Sequence, residues 1–125
     1  MELDEYHAIM NTPRSKYGNK HVRIDGILFD SLAEGRRYQE LKLLVAAGEI
    51  RDLQVHPKFP INPAGRDRWT HKAIRARTYE ADFQYVEDGH SVYEDTKGVS
   101  TQAFKIKWDI VRVRYPAYEF RLVKA

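Results

Sequence analysis

Two Asp-Gly pairs, at 25–26 and 88–89, each sit between runs of β-branched and aromatic residues, and they constrain the fold more than any other feature. Such a pair tolerates the positive φ needed at both central positions of a two-residue type I′ turn, whose twist matches that of the flanking strands. Around the first pair, Val22 and Ile24 precede the turn and Ile27, Leu28 and Phe29 follow it, which predicts two short strands. Around the second, the stretch from Ala73 to Val86 is rich in Thr, Tyr, Phe and Val and reads as one strand. SVYEDTKG then returns as its partner.

The segments between and after the hairpins carry helical signals. Ser31 caps a helix running to about Ala47 and ended by Gly48, with Tyr38, Leu41 and Val45 on one face. The proline-rich stretch after it predicts an edge strand around Gln54 to Ile61, followed by an exposed basic loop. A second helix is expected from Thr101 to Tyr115, stopped by Pro116, and YEFRLV alternates as a last strand. The order hairpin, helix, edge strand, hairpin, helix, strand implies an α/β class fold, an α+β arrangement of a mixed sheet with flanking helices. Residues 1–20 show no sustained period and read as a flexible basic arm, leaving 21–125 as a single domain.

Composition supports that division. At 125 residues and 42% hydrophobic content, the chain can bury one core but has little length for a second domain. With no cysteine, disulfides, thiolate metal sites and a thiol nucleophile are all excluded. The five histidines, His7, His21, His56, His71 and His90, lack the spacing a zinc site favours. No apolar run approaches the roughly 18 residues of a membrane span, and the N-terminus lacks a signal-peptide pattern, so a soluble cytoplasmic protein with no membrane partner is expected. The net charge of +3 and pI near 9.1 suit a polyanionic partner.

The second hairpin carries the chemistry. If Asp88-Gly89 is a two-residue loop, Glu87 pairs with His90, Gln84 with Tyr93, Asp82 with Asp95 and Glu80 with Lys97. Tyr79, Ala81, Phe83 and Tyr85 then take the opposite, apolar face. Opposed aspartates about 5 Å apart at Cβ destabilise a sheet, so Asp82 facing Asp95 calls for a compensating cation. Mg2+, with Mn2+ as its substitute, takes oxygen ligands and leaves room for water and a substrate phosphate. Lys97, two residues beyond Asp95, is placed to orient or deprotonate an attacking water and to offset transition-state charge. Read singly, the three residues would be ordinary solvated strand positions.

Glu34 has two readings. Ser31-Leu32-Ala33-Glu34 fits a capping box, which needs no further function. Glu34 also lies in the stripe with Tyr38, Leu41 and Val45, where a carboxylate requires a partner, and a metal held by Asp82 and Asp95 would be one. Arg36 and Arg37, one turn on, are either phosphate contacts or plain surface arginines.

The order of Glu34 on an N-terminal helix, Asp82 on a strand and Asp95-Thr96-Lys97 on the returning strand resembles the PD-(D/E)xK nuclease superfamily. More closely, GNKHVRIDGILFDSLAEGRRYQELKLLVAAGEI, TYEADFQYV and YEDTKGVSTQAFKIKWDIVRVRYP look like a family of small phage-encoded proteins grouped with Holliday junction resolvases. The likeness covers about Lys16 to the C-terminus. It implies a restriction-endonuclease-like core, metal-site carboxylates at Glu34, Asp82 and Asp95, and a catalytic lysine at Lys97. Glu80-Ala81 stands where the superfamily often has Pro before the aspartate.

The expected activity is therefore Mg2+-dependent, structure-selective endonucleolytic hydrolysis of DNA, branched DNA included, by metal-activated water. A sequence-specific nicking, homing or restriction-type nuclease and a non-catalytic DNA-binding protein of the same fold are the alternatives. Arg66, Arg68, Lys72, Arg75 and Arg77 cluster with Trp69 in and after the proline-rich loop, a composition suited to phosphate contacts with one aromatic wedge or stacking group. Lys16, Lys20, Arg23 and Lys105 extend the basic set. On the second helix, Phe104, Trp108, Val111 and Tyr115 form one stripe and Ile106, Ile110 and Val113 another. The second stripe needs cover, which a homodimer would give.

Overall fold

A computed structural model describes residues 20–97 and 100–125. The expected arm up to residue 19, including Lys16, lies outside the described residues. Within the described part, 20–51 with Ala125 form one compact unit and Asp52–Lys124 another.

In the first unit, β1 (Val22–Ile24) and β2 (Ile27–Phe29) pair antiparallel, Val22 with Phe29 and Ile24 with Ile27. The turn is the one anticipated, with φ of 54° at Asp25 and 78° at Gly26. Helix α1 (Leu32–Ala46) starts where the Ser31 hydroxyl accepts the Glu34 backbone N–H at 3.1 Å. It ends before Gly48, whose φ of 77° reverses the chain. Its buried face is Glu34, Gly35, Tyr38 and Leu41, and the Phe29 and Tyr38 rings pack 5.1 Å apart. Val45, expected on that face, is 39% exposed, because it lies a full turn beyond the span of the short hairpin. The Asp25 carboxylate accepts bonds from Lys42 Nζ and, at 2.9 Å, from the Tyr38 hydroxyl. These bonds, that of Lys42 foremost, hold its pKa below the usual carboxylate range.

The second unit is built on a four-stranded mixed sheet. Its strands are β3 (Arg51–Val55), β8 (Phe83–Glu87), β9 (His90–Lys97) and β10 (Glu119–Lys124), in the order β10-β9-β8-β3. Strands β8 and β9 form the predicted hairpin, with Glu87 opposite His90, Gln84 opposite Tyr93, and φ of 51° and 81° at Asp88 and Gly89. From β9 the chain passes through helix α2 (Gln102–Arg114) and returns as β10, parallel to β9. Thr101 caps α2 by accepting the Phe104 N–H at 3.1 Å. A predominantly aromatic core, Phe59, Tyr79, Ala81, Tyr93 and Val111, is closed by Phe104, Trp108, Tyr115 and Phe120, with Phe59 edge-on to Tyr93 at 4.4 Å. The mixed α+β class is thus as expected.

Two predicted strands are broken. The edge strand expected over Gln54 to Ile61 divides into β3 and a separate β4 (Lys58–Asn62), because His56 takes a φ of 57° and Pro57 has no N–H to continue a ladder. The long strand expected from Ala73 to Val86 divides into β6 (Ala73–Ile74), β7 (Arg77–Glu80) and β8. Strand β7 pairs with β4, and a further short strand, β5 (Gly65–Arg66), pairs with β6. The two breaks face each other: the Ala81 N–H donates to Pro57 O and the His56 N–H to Asp82 O. Glu80 accordingly lies opposite Lys58, not opposite Lys97 as the extrapolated register required.

The break also redistributes the faces. Tyr79 and Ala81 join Tyr93 in the aromatic core beneath α2, whereas Phe83 lies opposite Glu94 and so belongs to the other side of the sheet. The face that carries Tyr93 and Asp95 is therefore packed by a helix, contrary to the expectation that Asp82 and Asp95 point away from the apolar side.

Candidate active site

The chain crossing between β7 and β8 and the end of β9 place Asp82, Asp95 and Lys97 together. The paired ladder ends at Phe83 opposite Glu94, so Asp82 sits one step beyond it, in a bend, with its N–H donating to Glu94 O at 3.1 Å. The backbone N–H of Thr96, the residue between Asp95 and Lys97, donates to Asp82 Oδ2 at 2.7 Å. That bond fixes the Asp82 carboxylate against the strand bearing the other two side chains.

Asp95 is 1% exposed, and among the described residues neither of its carboxylate oxygens accepts a hydrogen bond of normal geometry, since the Asp82 backbone N–H beside it is bonded to Glu94 O. An unpartnered buried carboxylate is expensive, and burial pushes its pKa up to about 6 against the opposing pull of the Lys97 charge and the Asp82 backbone N–H. Lys97 is half-buried, its Nζ lying 4.6 Å from the centre of the Phe104 ring on α2. The ring face restrains the ammonium group by a cation–π contact beside the acidic pair. Two carboxylates, one of them with open oxygen lone pairs, form a donor set that suits a hard divalent cation retaining water and phosphate ligands. Among the described residues no three His, Asp or Glu side chains are gathered into a preassembled cage.

Strand β9 has a second buried acid. Glu94 is 0% exposed and accepts the Tyr85 hydroxyl at 2.7 Å. Arg121 donates to that hydroxyl at 3.1 Å, to Glu87 at 3.1 Å and to Glu119 at 2.7 Å, and His90 lies 2.8 Å from Glu119. Glu94 and Asp95 are neighbours in sequence and so face opposite sides of the sheet. Glu94 escaped the sequence reading, although its place beside Asp95 on a strand already implied a carboxylate directed to the far face.

The chain belongs to the DUF1064 family. The matching family model, described as a protein of unknown function (DUF1064), covers residues 14–125 and so includes all four candidate site residues. No curated protein matches the chain.

The other residues singled out are distributed as follows. Glu34 belongs to the first unit, where it is 5% exposed and its N–H is held by the Ser31 cap. Arg36 is exposed on α1, Arg37 pairs with Glu40 at 2.8 Å, and Lys20 is half-buried. In the second unit, Arg66, Arg68, Lys72, Arg75 and Arg77 are all exposed, as is Lys105 on α2. Of the outward stripe of α2, Ile106 is 51%, Ile110 37% and Val113 82% exposed. No helix among the described residues is long and apolar enough to cross a membrane.

Proposed function

We propose that the protein is a divalent-metal-dependent DNA endonuclease whose chemistry is carried by Asp82, Asp95 and Lys97. The observation behind this reading is the Asp95 carboxylate, buried with both oxygens unpartnered between a backbone-fixed Asp82 and the Lys97 ammonium group. A structural aspartate would have its hydrogen bonds satisfied, whereas a ligand-binding one keeps its lone pairs open. Mg2+ or Mn2+ bound by Asp82 and Asp95 would supply Lewis-acid activation of water and neutralise phosphate charge. The Asp82 carboxylate is positioned by the Thr96 backbone N–H, and Asp95 is buried beside it. Lys97 orients the water and offsets charge on the phosphoryl oxygens as the phosphodiester bond is hydrolysed.

The antiparallel β8–β9 pair, the parallel return through α2 to β10 and the placement of the DxK strand at the centre of the sheet support a restriction-endonuclease-like core of the PD-(D/E)xK kind. Exposed cations on β5 to β7 supply phosphate contacts. The resemblance to junction resolvases, with two sites in a dimer covering the Ile106, Ile110 and Val113 stripe, makes a four-way junction the substrate to try first.

The test is incubation of the protein with a four-way junction and with linear duplex of the same sequence, in Mg2+ and in EDTA. Metal-dependent cutting of the junction over the duplex is expected. Equal cutting of both would sink the resolvase reading and leave a nuclease, and no cutting of any DNA under Mg2+ or Mn2+ would overturn the enzyme reading.

A further inference from the structure

The segment expected as an exposed basic loop is a built hairpin. Strands β5 and β6 pair Gly65 with Ile74 and Arg66 with Ala73, and the six residues between them are tied at nearly every position. The Asp67 N–H donates to Lys72 O and the His71 N–H to Asp67 O, both at 2.9 Å. Asp67 Oδ1 accepts the N–H groups of Trp69 and Thr70 at 2.9 and 2.8 Å, and the Arg66 guanidinium donates to His71 O at 2.8 Å. At the base, the Asn62 amide donates to Arg75 O at 2.9 Å. These bonds hold a tip whose outermost large side chain, Trp69, is 87% exposed.

Among the described residues nothing in the unit covers that indole. A Trp side chain presents 150–250 Å² of mostly apolar surface, and holding it in water on an ordered tip gains nothing for folding. The charges around it narrow the choice of partner. The only acid of the tip, Asp67, is consumed by the turn, where bonds from Thr70 and Trp69 hold its carboxyl below the usual range. Arg68, Lys72, Arg75 and Arg77 are exposed and enter no ion pair among the described residues. A preorganised aromatic plane, with uncompensated cations on the same hairpin and at its base, matches a polyanion that offers flat, unsatisfied faces. In nucleic acid those faces are bases outside a continuous stack.

We infer that Trp69 is a base-stacking site, and that the β5–β6 hairpin selects DNA with an unpaired or unstacked base over intact duplex. The inference deepens the nuclease reading and rests on DNA being the ligand of this unit, but it concerns binding alone. The cations hold the backbone irrespective of sequence, and the indole reads only whether a base face is free. Arg66 is separated from the other cations in this account, since its guanidinium is engaged in bracing the tip.

The test uses the full chain with Ca2+ in place of Mg2+, and fluorescence anisotropy on a 30-bp duplex and the same duplex carrying a three-nucleotide single-stranded gap. The wild type is expected to prefer the gapped DNA by about 10-fold or more, and Trp69→Ala to lose roughly 5- to 150-fold on gapped DNA with little change on duplex, the range set by one stacked base. Trp69→Phe should restore most of the preference. Lys72→Ala should weaken both DNAs alike and lower the salt slope by about one. Equal losses on both DNAs in Trp69→Ala, or a wild type that does not distinguish them, would overturn the stacking site, as would Trp69-dependent binding to anionic lipid vesicles without DNA discrimination. A preference that depends on Trp69 in a protein that cuts nothing in Mg2+ would retain this site while removing the nuclease reading.

Discussion

The carboxylate of Asp82 and the backbone N–H of Thr96 are joined at 2.7 Å, so the residue between Asp95 and Lys97 is anchored to the chain crossing that begins β8. The bond links the position of one acid to that of the other. It also separates two roles that a substitution can divide.

Asp82→Asn keeps an oxygen that accepts the Thr96 N–H but removes the charge. Cleavage in Mg2+ should fall by roughly 100-fold or more, the scale of losing one preorganised electrostatic partner of a transition state. The midpoint of urea unfolding should move little. Asp82→Ala removes the acceptor as well, and it should lower stability by about 1–2 kcal/mol in addition to abolishing cleavage. Comparing single-turnover cleavage with urea titrations for the two variants checks the division, and an active Asp82→Asn would remove this carboxylate from the site.

Asp95 gives the metal-free protein a specific pH dependence. Its folded pKa of about 6 lies above the ordinary 3.8, so the folded state binds the proton more tightly than the unfolded state. Stability therefore falls as pH rises from about 4 to 6, and the whole penalty, roughly 3 kcal/mol, is present above that window. Asp95→Asn should be more stable than the wild type at pH 8, by up to that amount, and the difference should vanish near pH 3. Mg2+ should raise the Tm of the wild type at pH 8 and leave that of Asp95→Asn unchanged, because a cation removes the penalty only where the carboxylate exists. Thermal melts in EDTA and in Mg2+ at several pH values check both parts.

Lys97 and Phe104 can be tested as a pair. Lys97→Met keeps the aliphatic stem on the Phe104 ring and deletes the ammonium group, so cleavage should drop roughly 100-fold with the fold intact. Phe104→Leu leaves the ammonium group and removes the ring that restrains it, a contact worth about 0.5–1 kcal/mol at a partly exposed site. Its cleavage rate should fall only severalfold. A larger loss in Phe104→Leu than in Lys97→Met would show that α2 matters to the site through packing and not through the lysine.

Much of this geometry was legible from local signals. The Asp25-Gly26 and Asp88-Gly89 turns, the Ser31 and Thr101 caps and the return register from Glu87 and His90 are set by residues within a few positions of each other, and each has the expected geometry. The errors arise where distant segments compete. The hairpin count places Glu80 opposite Lys97, but the backbone groups next to it are taken by Pro57 and His56, 23 or more positions away, and a register count along one hairpin carries no knowledge of that. The same break decided which side of the sheet became aromatic, and with it the burial of Asp95. That Asp82 lies beside the strand of Asp95 and Lys97 is readable because the β8–β9 turn sets the count between them, whereas the burial of Asp95 and the ordered tip that presents Trp69, which depends on the Asp67 side chain accepting two backbone N–H groups, are not.

Gly35 on α1 offers a test of the first unit that is independent of any function. A Cβ built there would meet Val22 Cγ1 at 2.9 Å and Ile24 Cδ1 at 3.1 Å, and both of those side chains are buried and β-branched, with little rotamer freedom. Gly35→Ala gains about 1 kcal/mol of helix propensity, while forcing a methyl into a packed contact costs about 1–3 kcal/mol. The clash should win, since both neighbours belong to the paired β1 strand and cannot withdraw separately. The expected result is a net loss of about 1–2 kcal/mol in urea unfolding. Val22→Ala should cost stability alone through its cavity, yet combined with Gly35→Ala it should be less harmful than the sum of the two, because the second methyl fills space vacated by the first. Strict additivity in that double-mutant cycle would mean that α1 does not rest on Val22 at this position.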